Sequence, residues 1–162
     1  MAHQNPTDQE LKRLLTDATT IAMVGASSNP EKASHGIMQK LQRAGYRVIP
    51  VNPKESEILG ERSYASLLDV PERIDIVDVF RRAEDTPQIA DEAVTIGARA
   101  LWLQTGIVSE EAAARATRGG LTVVMDLCIG ATHSLLRVPG KASGVADSGR
   151  PDHLRQGSGG PP

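Results

Sequence analysis

Apolar residues along this chain fall into compact runs of five to seven that alternate with longer stretches at helical spacing. Near the start, Thr7 and Glu10 make a T-x-x-E capping box ahead of Leu11, Leu14, Leu15 and Ala18, which predicts a short helix. TIAMVGA (20–26) is an apolar run bounded by turn formers and predicts a strand buried on both faces. Ser34 is placed to cap a helix through HGIMQKLQRA that Gly45 closes. YRVIPVN (46–52) is the second strand. Its Pro50 lacks an N–H, which puts the strand near a sheet edge or ends it early.

ERSYASLLDVP then reads as a connection with one helical turn. IDIVDVF (74–80) is the third strand, with Asp75 and Asp78 alternating with apolar residues. Thr86 and Pro87 predict an N-cap and first helical position for QIADEAVTI, closed by Gly97. RALWLQ (99–104) is strand four, Ser109 caps EEAAARATR, Gly119 and Gly120 end it, and LTVVMD (121–126) is strand five. Strands alternating with helices in this way predict βαβ units, an α/β fold and a mainly parallel sheet of about five strands with helices on both faces.

From Val138 the pattern stops. VPGKASGVADSGRPDHLRQGSGGPP is rich in glycine and proline with almost no large apolar residue. Such a segment buries too little surface to offset its ordering entropy, which predicts one domain over residues 1–137 and a disordered tail over 138–162.

Composition narrows the function classes. A net charge of −2 gives no basic field for nucleic acid, and a single cysteine excludes an intrachain disulfide and argues against a thiolate metal site. No apolar run approaches the ~18 residues of a membrane span. The polar opening MAHQNPTDQE does not read as a signal peptide, so a cytoplasmic location is the expectation.

In an open parallel sheet, ligands bind beyond the carboxyl ends of the strands, near the point where strand order reverses. Five segments therefore form the candidate site: GASSNPEKASHG, NPK, FRR, QTG and DLC. Gly25 permits a sharp turn, while Ala26, Ser27 and Ser28 are small enough for close approach. Backbone N–H groups and a helix start there suit a pyrophosphate, and Lys32 could add charge. The plain alternative is a solvent loop. After strand two an NAD site wants an acid for the ribose hydroxyl. This chain has Asn52, Pro53 and Lys54 instead. A lysine suits a phosphorylated ribose, as in NADP or coenzyme A, or is simply a solvated surface charge.

Together, VGASSNPEKASHGI, YRVIPVNPK, IDIVDVFRR, LWLQTGI and VVMDLCI resemble the small stand-alone CoA-binding proteins. Their Rossmann-like fold is similar to the CoA-binding domain of the succinyl-CoA synthetase α subunit. The resemblance runs from Asp8 to His133. It implies that Gly25 to Ser28 face the pyrophosphate and that Lys54 lies near the phosphorylated ribose. It also implies that Phe80 and Arg81 line the cleft, with Gln104 and Thr105 along the ligand's path. Leu127, and Ala131 with Thr132 before His133, depart from the family's usual M-D-R-C and its apolar-acid pair.

No Ser-His-acid order or metal-ligand spacing appears. His35 at a helix start suits packing, Asp75 and Asp78 suit solvent or helix caps, and Cys128 suits a buried position, although a thiol near CoA could exchange into a mixed disulfide. The expectation is non-catalytic binding of CoA or a short acyl-CoA, with no nucleic-acid or membrane partner and no protein partner identified. The competing expectations are an NADP-dependent oxidoreductase, which explains Lys54 but lacks a catalytic Tyr/Lys pair, and a protein-interaction module with a vestigial nucleotide cleft.

Overall fold

A computed structural model describes residues 2–141. The capping box forms as read: the Thr7 hydroxyl accepts from Glu10 N, the Glu10 carboxylate accepts from Thr7 N at 2.8 Å, and α1 (Asp8–Asp17) follows. The chain continues through β1 (Thr20–Val24), α2 (Ala33–Arg43) and β2 (Arg47–Val51), then a two-strand hairpin of β3 (Glu57–Ile58) and β4 (Glu61–Arg62). β5 (Ile76–Val79), α3 (Thr86–Thr95), β6 (Ala100–Leu103), α4 (Glu110–Arg118), β7 (Thr122–Val124) and α5 (Ile129–Leu135) complete it.

The main sheet is parallel throughout, in the order β2-β1-β5-β6-β7. Each strand splits its side chains between two cores, as a pleat of period two requires. Ala22, Val24, Val77, Val79 and Leu101 pack with Ile89, Ala90 and Ala93 of α3 and Ala112, Ala113 and Ala116 of α4. Ile21, Met23, Ile76 and Trp102 pack with Leu11 and Leu15 of α1, Met38 and Leu41 of α2, and Ile129 of α5. The result is the Rossmann-like α/β architecture expected, with helices on both faces. β2 is an edge strand, as Pro50 predicts, and its exposed side is served by Tyr64, whose N–H donates to Pro50 O at 3.1 Å and whose carbonyl accepts from Asn52 N at 2.8 Å.

Several local expectations are corrected. Ser34 does not cap α2, which starts at Ala33 behind an N-cap Lys32 that makes no side-chain cap. Thr86 lies inside α3, its hydroxyl donating to Ala83 O at 2.6 Å, because a 3-10 turn (Ala83–Asp85) feeds directly into the helix. Ser109 does cap α4, accepting from Ala112 N. The helical turn in the connection is a 3-10 turn over Leu67–Asp69 capped by Ser66. The hairpin and α5 were not expected. Of the segment read as a tail, residues 138–141 pack on the domain: Val138 is buried, and Lys141 donates through N to Ala44 O at 2.8 Å and through Nζ to Thr16 O at 2.6 Å. The rest of it, 142–162, lies outside the described residues.

Candidate functional site

From β1 the chain passes to β2 on one side and then returns to β5 on the other, so the strand order reverses between β1 and β5. A cleft of about 490 Å³ opens there, beyond the carboxyl ends of these strands. Gly25, Ala26 and Ser27 form one wall, Lys32, Ala33 and Ser34 at the start of α2 a second, and Asn52, Pro53 and Lys54 a third, with Phe80 and Arg81 behind. Nine of the twelve residues expected at the site are thus brought together.

The loop after β1 holds itself in shape. Gly25 N donates to Val51 O at 3.0 Å, continuing the β1–β2 ladder past the strand end. Ser27 Oγ accepts from Asn29 N at 3.0 Å, Asn29 Oδ1 accepts from Glu31 N at 2.9 Å, and Asn29 O accepts from Lys32 N at 3.0 Å. Gly25 is required here for a reason other than room for a ligand. Its φ is +89°, and a Cβ built on it would stand 2.4 Å from Phe80 O. The absent side chain lets β1 and β5 approach, which sets the back of the cleft. Arg81 is steadied by Asp85 at 3.2 Å.

The remaining three expected residues lie elsewhere. Ser28 is exposed and donates to Glu55 Oε2 at 2.7 Å, away from the cleft wall. Gln104 and Thr105 line a second cavity of about 590 Å³ with Ala33, Gly36, Ile37, Ile107 and Cys128. Ala33, Phe80 and Arg81 line both cavities, so the two adjoin. Ile37 and Ile107 were missed as lining residues, while Ser34 lay inside the candidate segment GASSNPEKASHG without being named as one. Ser34 was legible only as a helix cap, and the two isoleucines only as core. Cys128 is half-buried rather than fully buried, and its Sγ accepts from Ala131 N at 3.4 Å as the N-cap of α5.

Gln104 is buried and has both ends of its amide engaged: Nε2 donates to Asp78 Oδ1, and Oε1 accepts from Ile129 N at 3.2 Å. Asp78 corrects the expectation for the third strand, because a sheet covered on both faces leaves no solvent side. It is fully buried, and burial pushes its carboxyl up to about 8 against a smaller opposing effect of the Gln104 bond. Burial thus favours the protonated, uncharged carboxyl near pH 7. Asp75 is corrected as well: it is buried and caps no helix, accepting instead at the start of β1 from Thr19 N at 2.8 Å and Thr20 N at 3.1 Å. Burial pushes its carboxyl up, but these bonds, the Thr19 hydroxyl and the Arg99 charge together hold it below its ordinary range.

The cleft and groove together present lysines, an arginine and a helix start at one end and an apolar channel at the other. An elongated ligand with phosphates at one end and an uncharged arm fits that division. Among the described residues, no group of three or more His, Cys, Asp or Glu is placed to hold a metal ion.

Comparison with known proteins bears on the family and the fold. The profile of the CoA binding domain family matches residues 19–134. An uncharacterized protein of Bacillus subtilis (strain 168) is 42% identical over 134 residues, covering 83% of this chain and 99% of that protein. A hypothetical protein from Pyrococcus horikoshii OT3 superposes with a TM-score of 0.80 at 36% identity, covering 85% of this chain and 99% of that one. An ADP-forming acetate–CoA ligase of Methanocaldococcus jannaschii is 31% identical over 103 residues. That match takes in 64% of this chain but only 14% of the ligase.

Proposed function

The chain belongs to the CoA binding domain family, and from that premise we propose that it binds coenzyme A, or a short acyl-CoA, across the β1/β5 crevice without transforming it. The observation that carries this reading is that the polar cleft and the apolar groove adjoin, sharing Ala33, Phe80 and Arg81 as lining residues. The phosphates lie at the loop Gly25–Ser27 and the start of α2, where backbone N–H groups and Lys32 favour negative charge. Ser28 turns to Glu55, so it supports the loop from outside. Lys54 meets the phosphorylated ribose, and the pantetheine arm runs into the apolar groove past Thr105. Gln104, committed to Asp78 and Ile129, shapes the groove wall.

The residues lining the cleft include Lys32, Lys54 and Arg81 and no aspartate, glutamate or histidine, so its phosphate end is lined by cationic side chains. No helix among the described residues is long and apolar enough to cross a membrane. The acetate–CoA ligase match covers a small share of that enzyme, and the reading here takes over its ligand rather than its reaction.

The test is Lys54→Ala. Coenzyme A should bind more tightly than dephospho-CoA to the native chain, and the variant should lose most of that preference. A hydrogen bond to a charged group, discounted for an exposed lysine, corresponds to about 5- to 30-fold in Kd. Added salt should narrow the preference, since an exposed pair is screened. Calorimetric titration of both ligands into both proteins reads it. Equal affinities in the native chain would remove Lys54 from the site.

A further inference from the structure

Asn52 was expected to touch the ligand, but its side chain is engaged elsewhere. Nδ2 donates to Ala26 O at 2.8 Å, and Oδ1 accepts from Lys54 N at 2.8 Å. Only one orientation of the amide satisfies both, because the flipped form would set donor against donor and acceptor against acceptor. The residue's backbone is fixed independently: its N–H donates to Tyr64 O at 2.8 Å, and its carbonyl accepts from Ser63 Oγ at 3.2 Å.

The two side-chain bonds reach the two loops that hold opposite walls of the cleft. One step earlier, Gly25 N donates to Val51 O, the last rung between the chains beyond β1 and β2. The bond from Asn52 Nδ2 to Ala26 O stands in for the next rung. A planar trans peptide points its C=O and N–H in opposite directions. Holding Ala26 O toward Asn52 therefore turns the Ser27 N–H away from β2. The second bond closes an Asx turn across Pro53, which sets where the Lys54 side chain begins.

Resting on the proposed CoA site, we infer that Asn52 is a positioning residue that sets the phosphate loop and Lys54 in register with each other. It acts through its neighbours and gives the site its ability to tell a ribose that carries a phosphate from one that does not.

Asn52→Ala and Asn52→Ser separate the two bonds. A serine hydroxyl can accept from Lys54 N in the equivalent turn, but it is too short to reach Ala26 O as well. Titration with CoA and dephospho-CoA should show Asn52→Ala weakened about 5- to 10-fold for dephospho-CoA and by about a further 5- to 30-fold for CoA, so that the preference for CoA is largely gone. Asn52→Ser should keep the common loss and recover the preference. A general loosening of the fold would weaken both ligands while leaving their ratio alone. Native preference retained in Asn52→Ala, or a serine variant no better than alanine, would overturn the inference while leaving the CoA reading intact. Absence of CoA binding by the native chain would remove both.

Discussion

Gly25→Val is expected to remove measurable binding of CoA and dephospho-CoA alike and to lower the melting temperature sharply. Two costs combine at this position. The backbone sits at φ +89°, where an L side chain is strained by roughly 1–2 kcal/mol. A Cβ would also stand 2.4 Å from Phe80 O and 2.9 Å from Phe80 C, both backbone atoms of the chain leaving β5. Those atoms cannot swing aside as a flexible side chain would. Phe80 N is itself tied to Val24 O at 2.8 Å, so relieving the clash means parting β1 from β5 at the crevice. A total loss of about 3 kcal/mol is a reasonable expectation for strain plus overpacking. Because the offending atom is Cβ, Gly25→Ala should reproduce most of the effect. Thermal melting by circular dichroism checks this. An alanine variant that melts like the native chain would show that the close approach is unimportant.

Asp78→Asn is expected to stabilise the protein increasingly as pH rises. Unfolded, this carboxyl ionises near its ordinary value of 3.8; folded, burial pushes it up to about 8. Between those values the native state holds a proton that the unfolded state gives up. Its contribution to stability is therefore fully present below pH 4 and is lost progressively as pH rises toward 8. At about 1.4 kcal/mol per unit, the upper bound over pH 5 to 8 is about 4 kcal/mol, and a realised loss of about 2–4 kcal/mol is expected. Asparagine has the same shape, keeps an acceptor for Gln104 Nε2, and carries no proton to lose. His133 runs in the opposite sense. Its imidazole is buried, with Lys40 and Lys141 nearby, which lowers its pKa, so its contribution is present above about pH 6.5 and is lost as pH falls through the folded value. Both proteins share His133, so it cancels in the difference between them. Urea unfolding at pH 5, 7 and 8 should show the advantage of Asp78→Asn growing at each step. A difference that stays constant with pH would mean Asp78 is not neutral in the folded state.

The positions of these two residues show where sequence reasoning succeeds and where it stops. Runs such as IAMV (21–24) and ALWL (100–103) are apolar at every position because both faces of the sheet are covered, and this pattern was legible in the sequence. The caps at Thr7 and Ser109 were legible for the same reason that they work: the hydroxyl is one turn from the amide it serves. Asp78 was misread because alternation of acids with apolar residues mimics a half-exposed strand. Only the strand order reveals that β5 lies inside the sheet.

The missed elements share another cause. The hairpin turns through Leu59 at φ +49° and Gly60 at φ +81°, a left-handed pair that Asn-Gly would have announced and Leu-Gly does not. α5 contains Gly130, which weakens a helix in isolation. In the fold, a Cβ there would lie 2.9 Å from Ile37 Cδ1, the end of a flexible side chain, so the glycine eases the contact of α5 with α2 without being strictly required for it. At the site, the nine residues gathered in the first cleft were legible because they follow directly from strand ends. What each does was less so: Asn52 and Ser28 point at partners distant in sequence, Ala26 and Glu55, that no local pattern indicates.

The most direct measurement is calorimetric titration of the native chain with coenzyme A, with NADP and NAD titrated in parallel under the same salt conditions. Saturable binding of coenzyme A at one site per chain is expected, with no comparable binding of either dinucleotide, since the groove beyond Phe80 and Arg81 fits a flexible, uncharged arm. Tighter binding of NADP, or no heat and no thermal shift with coenzyme A, would contradict it.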